Sequence, residues 1–367
     1  MADYDAFLLV SFGGPERPDD VMPFLQNVTR GRGIPPERLE AVAEHYYAAG
    51  GVSPINQQCR DLIAAIGKDF ATAGVDLPIY WGNRNWDPYL TTTVAGMAAA
   101  GVRRALAFVT SAYGSYSSCR QYLDDIEQAR AEAGPGAPQI DKIRHYFSHP
   151  GFIEPFADAT VRAIESLPAG IRADVPLVFT AHSVPEAMAA ASGPPPGGRY
   201  PAQLAEAAAL IAERVNGAAR PAGGAGGADG GHPWRLVYQS RSGPPSQPWL
   251  GPDVCEYLEE LARDGAPGAV LVPVGFITDH MEVVHDLDVE AAGVAGRLGL
   301  PLARAATPGP DPRFVSMITA LARERLDSER LGSALPPAAL GSPGCGSADC
   351  CRLPAPAGRP ARPAAAS

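Results

Sequence analysis

The 367-residue chain has no surplus of positive charge, no membrane-length apolar run and no framework of evenly spaced cysteines. Its 40 acidic residues outnumber 30 basic ones, for a formal net charge of −10. Such a chain shows no basic stripe for neutralising nucleic-acid phosphates. No apolar run approaches the ~20 residues needed to cross a bilayer. The opening MADYDAFLLVSFGG lacks the charged region and cleavage site of a secretory signal, so a cytoplasmic location is expected. Nucleotide-loop spacing is also missing: Phe12-Gly13-Gly14-Pro15 fits neither G-x-G-x-x-G nor G-x-x-x-x-G-K-[ST]. Structural disulfides are rare in the cytoplasm, so the six cysteines need another explanation. Three of them, Cys345, Cys350 and Cys351, fall within seven residues.

Apolar residues make up 46% of the chain, enough for a sizeable core. Short apolar runs at 6–12, 78–82, 105–111, 175–182, 235–240 and 269–275 fit buried parallel strands. Helical patterns lie between them at 36–49, 59–71, 89–100, 121–133, 153–166, 201–215, 253–264 and 311–325. In the last, Asp311 suits an N-cap and Pro312 the first helical position. The alternation predicts an α/β chain with parallel sheets in two units. We expect domains at 1–150 and 151–310, a helix at 311–335 returning to the first domain, and a cysteine-bearing tail at 336–367. Residues 217–231 and 353–367 are low in complexity and read as a surface loop and a disordered tail.

Chemistry-bearing residues collect after the strands, where open α/β sheets place ligands. His182 ends one strand; it is either a proton acceptor or a hydrogen-bonded strand-end residue. After residue 275 comes DHMEVVHDLDVE, with Glu282, Asp286 and Glu290 spaced four apart on one helix face. This is either a solvated acidic face or a stripe neutralised by protons or a cation such as Fe²⁺. Arg30 and Arg32 among glycines suit an anionic ligand, or are plain surface residues. The tail thiols make three-quarters of an iron–sulfur ligand set; Cys59, Cys119 or Cys255 is needed to complete it.

Taken in order, LLVSFGGPE, VTRGRG, HYYAAGGVSPINQQ, WGNRNWDPY, TSAYGSYSSCRQY, FTAHSVPEAM, YQSRSGPPSQPWLGPDV and VPVGFITDHMEVVHDLDVE resemble the ferrochelatase family over about residues 4–325. The resemblance implies two Rossmann-like domains, with parallel four-stranded sheets flanked by helices, around a porphyrin cleft. The family inserts Fe²⁺ into a porphyrin and releases two protons. Actinobacterial members, which this chain resembles, convert coproporphyrin III to coproheme. Protoporphyrin IX is the alternative substrate, and a sirohydrochlorin chelatase or a non-enzymatic carrier the alternative activity.

By the same resemblance His182 matches the active-site histidine and Glu282 the catalytic glutamate, both expected to meet the iron. Asp286 and Glu290 match an acidic relay. Arg30, Ser53 and Tyr122 match propionate contacts. The tail resembles that of members carrying a [2Fe–2S] cluster, with Cys119, Cys345, Cys350 and Cys351 as ligands. Arg84-Asn85 stands where some relatives have Lys-His. Phe12 stands where some have an iron-ligating tyrosine, and His45 where some have arginine. A monomer that takes porphyrin and ferrous iron and exchanges them with other heme-pathway enzymes is expected.

Overall fold

The computed structural model describes residues 4–31, 33–218, 231–242, 246–331 and 350–352. The first sheet contains β1 (Ala6–Ser11), β2 (Ile79–Asn83), β3 (Arg104–Val109) and β4 (Gln139–Lys142), in the order β2-β1-β3-β4. The second contains β5 (Leu177–His182), β6 (Trp234–Gln239), β7 (Ala269–Val272) and β8 (Leu302–Arg304), in the order β6-β5-β7-β8. Every pairing is parallel. Six strands coincide with the apolar runs in the sequence. The other two, β4 and β8, are edge strands of four and three residues, half-buried and partly polar, and show no apolar run.

In the first half the helices are α1 (Val21–Val28), α2 (Pro36–Ala48), α3 (Ile55–Ala73), α4 (Leu90–Ala99) and α5 (Gln121–Ala133). The second half begins with α6 (Pro150–Ser166), α7 (Glu186–Ala190), α8 (Arg199–Ala218) and α9 (Val254–Arg263). After β7, a continuous helical stretch runs through α10 (Met281–Val283), a π-helix (Val284–Ala291) and α11 (Ala292–Leu298). The final helix is α12 (Pro312–Leu331), capped as anticipated: Asp311 Oδ1 accepts from the Arg313 amide at 2.9 Å.

The strand β1, AFLLVS, is buried along its whole length because both of its faces are covered. Its alternation sorts side chains by face: Phe7 and Leu9 join one cluster, Ala6, Leu8 and Val10 another. Strand β5 sorts likewise, with Leu177, Phe179 and Ala181 on one side and Val178 on the other. The inward faces of both sheets share a single apolar core with α3, α6, α8 and α12 between them. There Phe314 of α12, fully buried, meets Phe108 of β3 edge to face at 6.2 Å and lies 6.4 Å from Phe152 of α6. The two sheets are thereby held with the carboxyl ends of β1 and β5 facing a common cleft. Each lies at the point where its strand order reverses, the usual ligand position in open α/β sheets.

Candidate functional site

His182 is the last residue of β5. Its Nδ1 lies 2.5 Å from the Ser183 carbonyl oxygen, so the proton belongs on Nδ1. The other ring nitrogen, Nε2, is directed into the cleft, 3.8 Å from Glu282 Oε2. The buried Tyr200 hydroxyl donates to the His182 main-chain oxygen at 2.8 Å and fixes the backbone behind it. The Glu282 oxygen lies also 3.9 Å from His280 Nδ1. One carboxylate therefore faces two imidazoles. His280 lies edge-on to Phe276 at 5.0 Å, and burial pushes its pKa down and favours the neutral ring. The sequence reading assigned His280 no role. The only signal was its place two residues before Glu282, which helical spacing does not connect.

Glu282 lies on the short α10, and Asp286 and Glu290 on the π-helix after it, where one regular α-helix was expected. The wider turn still keeps Asp286 and Glu290 together on the cleft side. Donor atoms of His285, Asp286 and Glu290 lie within 4.8 Å of one another, and His285 Nε2 is 3.4 Å from Glu290. His45 of α2 reaches across and stacks on His285, ring centroids 3.8 Å apart. Asp286 accepts from Ser240 Oγ and, at 3.2 Å, from Gln239 Nε2. Burial first, then Glu282 and Glu290, push its pKa up to about 6. The remaining acids of the motif are structural. Arg304 of β8 holds Asp279 at 3.0 Å and Asp288 at 2.6 Å, fixing both the entry and the outer face of the helix.

The opposite wall carries the residues expected to hold propionates. Tyr122 is 5% exposed, and its hydroxyl is engaged by Thr110 and Arg84. The Arg84 guanidinium lies 4.4 Å from the Tyr122 ring centre and 5.8 Å from that of Phe12 and pairs with Asp125. Ser53 is buried against Gly14: a Cβ on that glycine would lie 2.7 Å from Ser53 Cβ. Gly13 has φ +80°, and a Cβ there would meet Asn83 at 2.8 Å. The paired glycines thus serve close packing. Arg30 is exposed just beyond α1 and makes no ion pair among the described residues.

A second group of residues lies behind His182. Cys350 and Cys351 are buried, with Sγ atoms 3.5 Å apart, and the Gly193 amide donates to Cys351 Sγ at 3.0 Å. Cys119, also buried, hydrogen-bonds His145, which senses the charge of Cys350 as well. Cys59 instead donates to Ser11 of β1, and Cys255 of α9 senses Asp286 and Glu290. Cys345, residues 219–230 of the low-complexity loop and residues 353–367 lie outside the described residues.

Two parallel four-stranded sheets around a cleft lined with imidazole and carboxylate define a chelatase fold. The solved structure of SirB from Bacillus subtilis with Fe³⁺ superposes at a TM-score of 0.50 and 10% identity, over 90% of this chain and 98% of that one. That likeness concerns the fold. The chain belongs to the ferrochelatase family, whose profile matches residues 4–326. It is 52% identical to coproporphyrin III ferrochelatase of Streptomyces coelicolor, covering 99% of this chain and 96% of the relative. It is 53% identical to the Nocardia farcinica protein of the same name, covering 97% and 99%. A Rhodopirellula baltica protein named ferrochelatase is 50% identical over 89% of this chain and 87% of its own length.

The Asp286 environment makes stability depend on pH. Its folded pKa of about 6 exceeds the unfolded 3.8, so the folded state holds the proton more tightly. Stability at this position is full below about pH 4 and is lost as pH rises through about 6. Asp286→Asn is therefore expected to be more stable than the parent at pH 8, by on the order of 2–3 kcal/mol. Urea unfolding across pH 4–8 should show that difference vanish at the acid end.

Proposed function

We propose that this protein inserts Fe²⁺ into coproporphyrin III, releasing two protons and forming coproheme III, in heme biosynthesis. The observation that carries the proposal is the His182–Glu282 pair, 3.8 Å apart at the carboxyl end of β5, with a carboxylate path leading away from it. The names of the relatives at about half identity support the same substrate.

Metal insertion requires two pyrrole N–H protons to leave and a hydrated cation to shed water. With Nδ1–H donated to Ser183, Nε2 is the nitrogen of His182 that faces the cleft and can take up a proton. Glu282 faces the same space and offers a carboxylate to the cation or to the second proton. Its neighbour His280, whose pKa burial pushes down, adds a second imidazole beside the carboxylate. Asp286, His285 and Glu290 extend this set to the exposed rim and form a route for iron inward or protons outward. Arg30, exposed and free of ion pairs among the described residues, suits a propionate. Tyr122 acts on the substrate through Arg84, and Ser53 shapes the glycine turn beneath it.

We assign a [2Fe–2S] cluster to Cys119, Cys350, Cys351 and Cys345. Three of these thiols gather in one buried place, and a backbone amide already donates to one sulfur, as suits thiolates bound to iron. Cys59 and Cys255 face other surroundings. When bound, the cluster supplies a one-electron couple and ties the tail to the domains; the insertion chemistry above does not use it.

No helix among the described residues is long and apolar enough to cross a membrane. A monomer in the cytoplasm that exchanges porphyrin with neighbouring heme-pathway enzymes agrees with this. One observation favours a second reading: the pair of imidazoles at Glu282 also suits a sirohydrochlorin chelatase.

Anaerobic turnover with Fe²⁺ and coproporphyrin III, protoporphyrin IX or sirohydrochlorin, followed by absorbance, separates these activities. Preference for coproporphyrin III is expected; preference for either other tetrapyrrole overturns the substrate assignment. His182→Ala should lower kcat by at least about 100-fold, with little change in melting temperature because the ring is 35% exposed. Retained turnover would remove His182 from the chemistry. Cys119→Ser should abolish the visible cluster absorbance of anaerobically purified protein, and an unchanged spectrum would show that Cys119 is not a ligand.

A further inference from the structure

Tyr200, buried at the start of α8, and Cys351, buried in the tail, come from distant parts of the chain and meet through one turn. The turn, residues 191–198, runs from α7 to α8. It is closed from within: the Arg199 amide donates to the Ser192 carbonyl at 3.0 Å, and the Gly198 amide to the Ala190 carbonyl at 3.1 Å. Gly193 has φ +82°, and a Cβ there would lie 2.1 Å from Arg199 Cγ. Only glycine lets the turn close this tightly.

Three hydrogen bonds cross the turn in series. The Gly193 amide donates to Cys351 Sγ at 3.0 Å. The residue before it, Ser192, is fully buried; its Oγ donates to the Ala189 carbonyl and accepts from the Tyr200 amide at 2.8 Å. The Tyr200 hydroxyl in turn donates to the His182 carbonyl at 2.8 Å. That carbonyl shares a planar peptide with the Ser183 amide, which donates to the Gln239 carbonyl at 2.8 Å. The next carbonyl, that of Ser183, is the one that holds His182 Nδ1. The imidazole is thus oriented from a peptide that Tyr200 grips, and Tyr200 is placed by a turn that Cys351 grips. Because Ser192 and Tyr200 are buried, bulk water does not replace a bond lost from the series.

We propose that the turn at 191–198 couples the tail to the insertion site, with Ser192 and Tyr200 as positioning residues for His182. The proposal rests on the cysteine ligand set assigned above and deepens it. A thiol sulfur is a weak acceptor, whereas an iron-bound thiolate is a charged one, and charge-assisted hydrogen bonds are roughly twice as strong as neutral ones. Filling the cysteine site therefore tightens the hold on Gly193, and the series passes that constraint to the His182 peptide. Ser192 and Tyr200 act through the His182 backbone and take no part in the proton or metal steps.

The test uses the full chain, purified anaerobically with its cysteine site filled, and the same protein stripped by a chelator and desalted. Filling is read from visible absorbance. Two readouts report on His182: kcat with Fe²⁺ and the preferred tetrapyrrole, and the rate at which diethyl pyrocarbonate modifies the ring, followed by peptide mass spectrometry. Stripping the parent should lower kcat about fivefold, the scale of the difference between a charge-assisted and a neutral hydrogen bond. It should leave the KM for porphyrin unchanged and speed modification of His182 by a similar factor. Tyr200→Phe and Ser192→Ala should each keep the absorbance, show the lowered kcat while filled, and respond no further to stripping. Tyr200→Phe removes one oxygen from a packed ring, so the experiment stays readable if Ser192→Ala does not fold. If stripping lowers kcat in Tyr200→Phe by the same factor as in the parent, the turn is not the route and the proposal is overturned. A stripped parent with unchanged kcat and unchanged His182 reactivity overturns it as well and leaves the ligand set standing. A parent without visible cluster absorbance overturns the ligand set and this proposal together, while its turnover still reports on iron insertion.

Discussion

Carboxylates crowded into a half-buried cleft repel one another and lose solvation, and the arrangement of this protein answers that burden. Glu282, Asp286 and Glu290 lie along one side of a helical stretch, and burial raises the pKa of Asp286 into the range where it exchanges protons near neutrality. Each is offset locally. Glu282 faces His182 and His280, Glu290 lies beside His285, and Asp286 accepts from Ser240 and Gln239. A divalent cation would satisfy this charge without a permanent ion pair, which is what the proposed function asks of the cleft.

The two sheets keep this cleft in shape because they share one apolar core. Helices α3, α6, α8 and α12 fill the space between the inward faces, and Phe314 joins the end of the chain to both halves. His182 on β5 and the glycine turn after β1 are thus fixed relative to each other by packing distant from either. Arg304 adds an electrostatic brace, holding Asp279 and Asp288 so that the acidic helix presents its other face inward. Behind the cleft, the tail cysteines lie against Gly193, on the loop that follows His182 and ends in the helix bearing Tyr200.

Much of this was legible in the residues. The short apolar runs became the six strands they suggested, because burial on both faces leaves a continuous signal. His182, Glu282, Asp286 and Glu290 could be singled out because strand ends and acidic spacing are local patterns, and their convergence on one cleft followed from the family resemblance. The edge strands β4 and β8 left no such signal, being short and half exposed. Tyr122, expected by motif to contact substrate, is buried beside Arg84, and motif position says nothing about which way a ring is covered. His280, His45 and Ser240 acquire their places only through contacts that spacing along one helix or strand does not encode.

By itself, then, the sequence determined the alternating α/β plan, the family and the chemical types assembled for metal work, because these depend on local periodicity and on motifs read in order. Only the tertiary structure decided which groups meet. It set Glu282 between two histidines, stacked His45 of α2 on His285, and turned Ser240 onto Asp286. It also brought Cys350 and Cys351 to His145, the partner of Cys119, across more than 200 residues of chain. Such meetings depend on how two sheets and their shared helices pack, and packing is a property of the whole chain that no short segment carries.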